Sequence, residues 1–530
     1  MMQDWPLLTT KILDHAKQVY AERPVIARRG DGRIVETNYR ALHSQALHIA
    51  GALRAKGIKN GDRVATMAWN SDRHLALWYG IMGAGAVCHT VNPRLFADQL
   101  IYIINHAEDR LLFTDADLLP IVARIRDKLP ADLQIVALDD QSAIADTPLD
   151  VTGLDAWLVG YEPLDSWIEV AERDPCGLCY TSGTTGNPKG VLYEHRSNVI
   201  HALALNQPDM LGLSNSDTVM PIVPMFLANA WALTFVGPMI GASMVMPGRH
   251  LDGARIWELL DSYRVSVTAA VPTVWQMLLR HLEETGRKLP HLKRVVVGGA
   301  AAPRVMIETF ERDYGVEFRH AWGMTELSPL GTVCYLPAEE AGLEGEAWIR
   351  RKMSQGRGSF TVEMRIVDDA GRSLPWDGVA QGNLQVRGPG VVKRYFGDGV
   401  DATMEGDWFP TGDVATIDPL GYMVITDRSK DVIKSGGEWI SSIEIENLAC
   451  GHPEVDQAAV IALPHEKWGE RPLLVVVPRS GGKPTAESLL AHLEGKIAKW
   501  WMPDAVYFLE EMPLTATGKI RKTSLRQMLL

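Results

Sequence analysis

The sequence is poor in several features that would assign it to a specialised class of protein. Only five cysteines are spread over 530 residues, which is typical of a reducing compartment and not of a disulfide framework. Positive charge is not in excess, because the formal net charge is -12. This balance argues against a chain built to coat nucleic acid or an anionic membrane. We therefore expect no nucleic-acid partner.

Apolar stretches are also too short for a membrane-spanning protein. The longest begins at Ala232 and is interrupted by Gly237, Pro238 and Gly241, whereas a membrane-spanning helix requires roughly 20 consecutive apolar residues. The first residues lack the basic start and the apolar segment of a secretory signal. The sequence thus predicts a cytoplasmic protein with no membrane span.

What the sequence does have is length and a regular alternation of patterns. At 530 residues the chain is expected to form two or more domains, since a single hydrophobic core rarely grows beyond roughly 250–300 residues. Strand-like residues 62–70 precede a helical pattern over residues 72–87, and the same alternation returns over residues 254–303. This alternation predicts an α/β fold, with mostly parallel sheets in a large, multi-layer N-terminal domain.

A change of composition divides the chain. Residues 421–441 combine glycines and charges, and the residues beyond them have a compact α+β pattern. We place a boundary near Arg428–Lys430, which gives an N-terminal domain of residues 1–428 and a small, mobile C-terminal domain of residues 429–530. The predicted C-terminal elements are helices over residues 441–453 and 486–500, and strands over residues 455–464 and 471–478.

A loop rich in glycine and hydroxyl groups follows a strand-like run. Eight of the ten residues from Thr181 to Gly190 are small, hydroxylated, glycine or lysine, so backbone N–H groups and hydroxyls can converge on phosphate oxygens. A flexible surface loop is the alternative, which the Pro188-Lys189-Gly190 ending disfavours. The spacing does not match a Walker loop. The expected phosphate contacts are Thr181, Ser182, Gly183, Thr184, Thr185, Gly186 and Lys189.

This loop and several later segments resemble the signature motifs of one enzyme family. The segments are YTSGTTGNPKG, GGAAAP, HAWGMTELSP, WFPTGD, GYMVITDRSKDVIKSGGEWIS and PLTATGKIRK. In this order they are similar to those of adenylate-forming enzymes: acyl-CoA synthetases, luciferases and the adenylation domains of peptide synthetases. The resemblance covers essentially the whole chain. The similar branch, which shares VNPRLF at Val91–Phe96, contains medium-chain fatty acyl-CoA synthetases and 3-methylmercaptopropionate-CoA ligases.

The resemblance implies a reaction and a set of residues. A carboxylate attacks the α-phosphorus of ATP to give acyl-AMP, and coenzyme A then takes the acyl group. Glu326 would bind Mg²⁺, Thr325 would contact phosphate, and Thr185 and Lys519 would join Glu326 in catalysis. The residues implied for adenine and ribose are Gly299, Ala300, Ala301, Trp322, Gly323, Met324, Asp413, Ile425 and Arg428. Among them, Trp322 would stack on adenine and Asp413 would accept both ribose hydroxyls.

The C-terminal domain is implied to serve both steps. Lys519 would donate to the carboxylate and the α-phosphate together and so offset their repulsion. A frayed basic tail is the alternative, opposed by Pro513 and Gly518, which shape a turn. Rotation about the hinge residue Lys430 would then bring a second loop to the site. Its expected contacts with coenzyme A are Gly436, Gly437 and Trp439, although a plain hairpin turn is also consistent with the two glycines.

The acyl pocket contains one departure from the family pattern. Leu227 occupies the position where the similar branch has histidine, either by natural divergence or by substitution. Trp231 is expected to limit acyl depth, and Gly298, Gly299 and Gly323 are expected to leave space near the carboxylate. A pocket of this kind favours a short-to-medium, uncharged carboxylic acid, and an aromatic acid would fit nearly as well.

Four functions are compatible with these residues. The principal hypothesis is an AMP-forming acid:CoA ligase that uses ATP, Mg²⁺ and coenzyme A and that could assemble as a homodimer. Within the same class, an aryl-acid:CoA ligase or a stand-alone adenylation enzyme that loads a carrier protein is the alternative. A non-catalytic nucleotide-binding protein is disfavoured, because the intact residues include Lys189, Glu326, Asp413 and Lys519.

Overall fold

The computed structural model describes residues 1–144, 147–181, 187–429, 431–435, 438–515 and 519–529, with only the backbone at residues 438 and 439. The strands are β1 (Pro24–Arg28), β2 (Ile34–Asn38), β3 (Arg63–Met67), β4 (Val87–Thr90), β5 (Leu111–Thr114), β6 (Gln134–Ala137), β7 (Val151–Gly153), β8 (Pro175–Tyr180), β9 (Gly190–Glu194), β10 (Thr218–Pro221), β11 (Ser243–Met246), β12 (Val267–Ala270), β13 (Arg294–Val297), β14 (Glu317–Gly323), β15 (Leu330–Val333), β16 (Arg357–Gly358), β17 (Glu363–Val367), β18 (Gly382–Arg387), β19 (Phe409–Ile417), β20 (Met423–Arg428), β21 (Ile433–Ser435), β22 (Glu438–Ile440), β23 (Val455–His465), β24 (Gly469–Pro478) and β25 (Ala505–Phe508).

The helices alternate with these strands. They are α1 (Thr9–Val19), α2 (Tyr39–Ala55), α3 (Asp72–Gly83), α4 (Ala97–Ala107), α5 (Leu119–Ile125), α6 (Leu154–Leu158), α7 (His195–Leu205), α8 (Leu233–Ile240), α9 (Gly253–Ser262), α10 (Pro272–Thr285), α11 (Arg304–Glu308), α12 (Gly345–Met353), α13 (Ser442–Ala449), α14 (Ala486–Leu493) and α15 (Lys522–Leu529). Across the described residues, no helix has the length and apolar character needed to cross a membrane.

Two large sheets form the N-terminal part. One has the strand order β7-β6-β5-β3-β4-β8-β9 and is parallel except for β8–β9. The other has the order β16-β15-β14-β13-β12-β10-β11-β1-β2, with parallel pairing from β14 through β1. A hydrophobic core cluster joins strands of both sheets to α1, α2, α3, α7 and α8. The predicted α/β fold with mostly parallel sheets is confirmed.

Two smaller sheets follow. Strands β17 to β20 form an antiparallel sheet that ends at Arg428. Strands β22-β21-β24-β23, with β25 beside β24, form a separate sheet packed against α13 and α14. The predicted small α+β unit is therefore present, whereas the helix predicted over residues 486–500 ends at Leu493. Gly495 takes φ +76, a left-handed conformation that α-helices do not contain.

Candidate active site

The base of the phosphate loop is closed by two hydrogen bonds. β8 ends at Tyr180, as the strand-like run predicted, and Thr181 N–H then donates to the Lys189 carbonyl at 2.9 Å. The Lys189 N–H donates to the Thr181 hydroxyl oxygen at 3.2 Å. The Lys189 ammonium is exposed and lies 4.7 Å from the ring centroid of Tyr395. A cation is therefore held at the end of the loop.

The turn that carries Thr325 and Glu326 is tied to the strand that leaves this loop. Tyr193, on β9, donates its hydroxyl to the Thr325 carbonyl at 2.7 Å. Tyr395 donates to a Glu326 carboxylate oxygen at 2.9 Å. Burial raises the pKa of Glu326, and the Tyr395 hydrogen bond together with the charges of Arg428 and Lys189 opposes that rise.

Sequence reasoning missed Tyr193 and Tyr395. Neither residue lies in a pattern that indicates function, because an isolated aromatic residue in a strand, such as Tyr193, or in a loop, such as Tyr395, usually packs in the core. Tyr193 comes three residues after the glycine that ends the phosphate loop. The position of Tyr193 close to that loop in the sequence was the signal that could have indicated its role.

A buried carboxylate links two of the predicted nucleotide-binding residues. The Trp322 indole N–H donates to one oxygen of Asp413 at 2.8 Å, and Arg428 Nε lies 2.8 Å from the other oxygen. Burial raises the pKa of Asp413, with Arg428 and Trp322 opposing the rise. A carboxylate has about four acceptor positions, so each oxygen can still accept a ribose hydroxyl.

The Trp322 side chain is more deeply buried than expected for a ring that stacks on adenine. Only 7% of the residue is exposed, and a methyl group at Gly331 would lie 2.6 Å from its Cζ3 atom. Stacking on adenine stays a prediction, and the hydrogen bond to Asp413 is a contact that the sequence did not predict. Of the neighbouring predicted residues, Ile425 on β20 donates its N–H to the side-chain oxygen of Gln355 at 2.6 Å, and Ala300 contacts His320 through its backbone. Ala301 and Met324 are partly buried beside these strands.

Lys519 lies at this site although it is far from it in sequence. Its Cε atom would lie 3.9 Å from a methyl group placed on Gly299. Burial and the charge of Arg428 lower the pKa of Lys519 to about 8, while Asp413 and Glu326 raise it. Electrostatic coupling to these three groups means that the ammonium faces the predicted nucleotide site.

The acyl side of the site is shaped by Trp231. Its Cη2 atom would lie 3.1 Å from a methyl group at Gly298, and Val271 would lie 3.1 Å from one at Gly299. Gly323 differs from the expectation, because the Pro329 carbonyl would lie 2.2 Å from a methyl group there. Its missing side chain accommodates the neighbouring backbone instead of a ligand.

The turn that carries Trp231 has an unusual backbone. Residues 228–232 all take positive φ values between 39 and 62, and none is glycine. Left-handed conformations cost such residues roughly 1–2 kcal/mol each. Asn229 donates its side-chain amide to Asn198 at 3.1 Å, which holds the turn against α7. Leu227, partly exposed, begins this turn by accepting the Ala230 N–H at 3.0 Å.

Several predicted residues lie outside the described part of the chain. They are Ser182, Gly183, Thr184, Thr185, Gly186, Lys430, Gly436, Gly437 and Gly518, together with the side chain of Trp439. Their roles stay predictions.

The described residues around Glu326 could bind a hard cation such as Mg²⁺ only together with oxygen ligands from the substrate. The described residues include no group of three or more His, Cys, Asp or Glu side chains that could hold a metal ion. Mg²⁺ typically binds one or two carboxylates together with substrate phosphates and water. Within the same described ranges, Glu326 forms no ion pair, so its carboxylate fits this mode of binding.

Comparisons with known proteins agree with this geometry. The family model described as AMP-binding enzyme matches residues 13–396, and the model described as AMP-binding enzyme C-terminal domain matches residues 444–519. The chain is 48% identical over 528 residues to 3-methylmercaptopropionyl-CoA ligase of Ruegeria lacuscaerulensis, covering 99% of this chain and 98% of that protein.

Two further relatives extend the comparison. Medium-chain-fatty-acid–CoA ligase of Ectopseudomonas oleovorans is 45% identical, covering 98% of this chain and 96% of that protein. The solved structure of the anthranilate CoA ligase AuaEII in complex with anthranoyl-AMP has a TM-score of 0.88 at 25% identity, covering 99% of each chain. The matched ranges and this similarity along the whole length show that the chain belongs to the AMP-binding enzyme family.

Proposed function

We propose that this AMP-forming acid:CoA ligase activates a short-to-medium, uncharged carboxylic acid, with Lys519 as the cation of the first step. The observation that carries the proposal is the position of Lys519, whose Cε atom would lie 3.9 Å from a methyl group placed on Gly299, where the charges of Arg428, Asp413 and Glu326 affect its pKa. Asp413 and Arg428 are residues to which the motifs assign ribose contacts, and Glu326 is the residue to which they assign the metal.

The first step brings two anions together. A carboxylate oxygen of the acid attacks the α-phosphorus of ATP, the bond from that phosphorus to the bridging oxygen breaks, and pyrophosphate leaves. Lys519 would donate to both the carboxylate and the α-phosphate, and Lys189 would donate to the outer phosphates. Preorganised donors of this kind lower the barrier most where charge develops in the transition state.

Glu326 would hold Mg²⁺ against the phosphates, and the ion would neutralise part of their charge when bound. Tyr395 supports this role because its hydrogen bond holds one carboxylate oxygen of Glu326 and favours the ionised form. Thr325, fixed through its carbonyl by Tyr193, would present its hydroxyl to phosphate beside Glu326.

The second step requires Lys519 to leave. The thiol sulfur of coenzyme A attacks the acyl carbonyl, the bond from the acyl carbon to the AMP oxygen breaks, and AMP and the thiol proton are released. We infer that the C-terminal domain rotates at Lys430, which withdraws Lys519 and brings Gly436, Gly437 and Trp439 toward the pantetheine arm. Hinge motions of this kind concentrate the dihedral change in few residues.

The proposed acid class follows from the pocket wall. Trp231 lies against Gly298 and would limit acyl depth, while Leu227 supplies an apolar surface. Residues 223–235 contain no lysine or arginine to bind a second carboxylate. The names of the relatives, a 3-methylmercaptopropionyl-CoA ligase and a medium-chain-fatty-acid–CoA ligase, favour a flexible aliphatic acid over an aromatic one.

The test is pyrophosphate release with a panel of acids, with and without coenzyme A. We expect release with C4 to C10 aliphatic acids, followed by thioester formation when coenzyme A is added. Lys519→Ala should reduce acyl-adenylate formation at least ~10²-fold, as loss of an oxyanion-type donor does. Lys499→Ala, an exposed lysine of the same domain, is the matched control and should retain full activity.

The alternatives have distinct outcomes in this assay. Pyrophosphate release without turnover of coenzyme A would support loading of a carrier protein. A preference for benzoate-like acids would support an aryl-acid:CoA ligase. Normal pyrophosphate release by Lys519→Ala would contradict the role of that residue. Assembly as a homodimer also stays a prediction, which light scattering tests.

A further inference from the structure

The C-terminal hairpin that carries Lys519 touches the N-terminal part of the chain at a second place. The Arg521 guanidinium carbon lies 5.1 Å from the ring centroid of Phe96. Phe96 is 57% exposed and ends the VNPRLF segment, to which the proposed chemistry assigns no role. A cation within about 6 Å of an aromatic face is attracted by the ring quadrupole.

Arg521 is rigidly connected to Lys519. Its N–H donates to the Pro513 carbonyl at 2.7 Å, and Thr515 N–H donates to the Lys519 carbonyl at 2.6 Å. Leu514 and Ile520 form an antiparallel bridge between these two bonds. Any movement that withdraws Lys519 therefore withdraws Arg521 with it.

Phe96 is connected on its side to the phosphate loop. It is the residue that precedes α4. At the other end of that helix, His106 Nδ1 forms a hydrogen bond with the Tyr180 hydroxyl at 2.7 Å. Tyr180 directly precedes Thr181 at the base of the loop. Phe96 thus belongs to the same rigid unit as the predicted phosphate contacts.

We propose that Phe96 is a positioning residue for the adenylation step, acting through its contact with Arg521; this inference rests on the proposed function. Because the contact exists only while Lys519 is in the site, it stabilises that arrangement relative to the rotated one. An interaction made in one of two states shifts their ratio by its own strength. An exposed cation–π contact corresponds to about a twofold to fivefold shift.

The experiment measures the two half-reactions separately. The first is hexanoate-dependent exchange of pyrophosphate into ATP, and the second is consumption of prepared hexanoyl-AMP by coenzyme A. Phe96→Leu keeps the apolar bulk but removes the ring, and Arg521→Met keeps the chain length but removes the charge. We expect each to lower exchange about twofold to fivefold and to leave the second half-reaction unchanged or faster.

Three comparisons separate positioning from a structural effect. Phe96→Trp, unlike Phe96→Leu, should retain the wild-type rate of exchange, since the indole face binds cations best. The double variant should be no slower than either single variant. Phe360→Leu, the same change at a residue 91% exposed, should alter neither half-reaction. The proposal would be overturned if the variants slowed both half-reactions equally or if the losses of the single variants multiplied in the double variant. It would also be overturned if Phe96→Trp exchanged as slowly as Phe96→Leu.

A distance measurement keeps the inference separate from the proposed function. Spin labels are placed at Val305 and Tyr507, which are 49% and 46% exposed, after Cys450→Ser removes the partly exposed thiol. Phe96→Leu should reduce the major interdomain distance population, whatever acid is activated. Identical distributions would overturn the role of Phe96, whereas absence of exchange with every acid in the wild type would overturn the proposed function.

Discussion

The indole N–H of Trp322 donates a hydrogen bond to the buried carboxylate of Asp413 at 2.8 Å. The other carboxylate oxygen lies 2.8 Å from Arg428 Nε. Asp413 is therefore oriented by an uncharged donor and a charged one. Its orientation, and with it the predicted contact to ribose, should depend on both.

Trp322→Phe tests the uncharged donor. Hydrogen bonds to charged groups contribute about 1.5–3 kcal/mol, so we expect a loss of that size in the free energy of unfolding. The Michaelis constant for ATP should rise about tenfold, the equivalent of about 1.4 kcal/mol, while that for coenzyme A stays unchanged. Chemical denaturation and steady-state kinetics measure the two effects.

Trp157→Phe is the matched control for this prediction. Trp157 is 4% exposed, and among the described residues its indole nitrogen has no hydrogen-bond partner. The same loss of volume should occur there without loss of a hydrogen bond. Equal destabilisation by the two variants would contradict the contribution of the Trp322–Asp413 contact.

The fold was largely predictable because its strands are runs of apolar residues. The predicted strand over residues 455–464 is observed as Val455–His465, because a short run of β-branched and aliphatic residues between polar segments favours a buried strand. The helix predicted over residues 486–500 was too long. The helical spacing of apolar residues continues past Gly495 in the sequence, but the helical backbone ends at Leu493. Local pattern predicted the elements better than their ends.

The phosphate loop was predicted from its own residues, whereas the other members of the site were predicted only through the family resemblance. Periodicity and spacing give no reason for Lys519 to lie near Gly299, since that approach depends on how two sheets and a hairpin pack. The left-handed turn over residues 228–232 was not predicted at all. Its sequence, ANAWA, contains no glycine, and alanine strongly favours right-handed helix, so tertiary contacts override local preference there.

The adenylation rate should fall as the pH rises through about 8. Lys519 has a pKa lowered to about 8, and only its protonated form offsets the repulsion between carboxylate and phosphate. The pH profile of kcat/KM for ATP reports groups of the free enzyme, so its alkaline limb should reflect this ammonium. Pyrophosphate exchange between pH 6.5 and 9.5 measures it.

Lys519→Arg is the control for this profile. A guanidinium stays protonated throughout this range, with a pKa above about 12, so the variant should be slower but free of the alkaline limb. The same limb in both proteins would assign it to another group and contradict the prediction.

Tyr395→Phe should weaken the binding of Mg²⁺ at low pH. The Tyr395 hydroxyl stabilises the ionised carboxylate of Glu326, so its loss raises the pKa of Glu326 further. The fraction of carboxylate available to the cation then falls first on the acid side. We expect a several-fold higher half-saturating Mg²⁺ concentration at pH 6 and a smaller change at pH 8.

Tyr507→Phe provides the comparison for the tyrosine variant, because Tyr507 is 46% exposed and lies on β25. Exchange assays across a Mg²⁺ series at both pH values distinguish the two variants. An equal change at pH 6 and pH 8 would mean that Tyr395 acts without altering the ionisation of Glu326.

Trp231→Ala should shift the preferred acid to a longer chain. The indole edge lies against Gly298, so its removal opens space in the direction of the acyl group. Each additional buried methylene contributes about 0.8 kcal/mol, which corresponds to roughly a fourfold gain in kcat/KM per carbon. An unchanged chain-length profile in Trp231→Ala would exclude this wall.

Ala230→Gly should destabilise the protein much less than a buried helical alanine does. Ala230 takes φ 48, a conformation that costs alanine roughly 1–2 kcal/mol and glycine almost nothing. Relief of that strain should offset the lost methyl group. Ala202→Gly in α7, where the alanine is equally buried, should cost about 1 kcal/mol or more. Equal losses in the free energy of unfolding would show that the turn is unstrained.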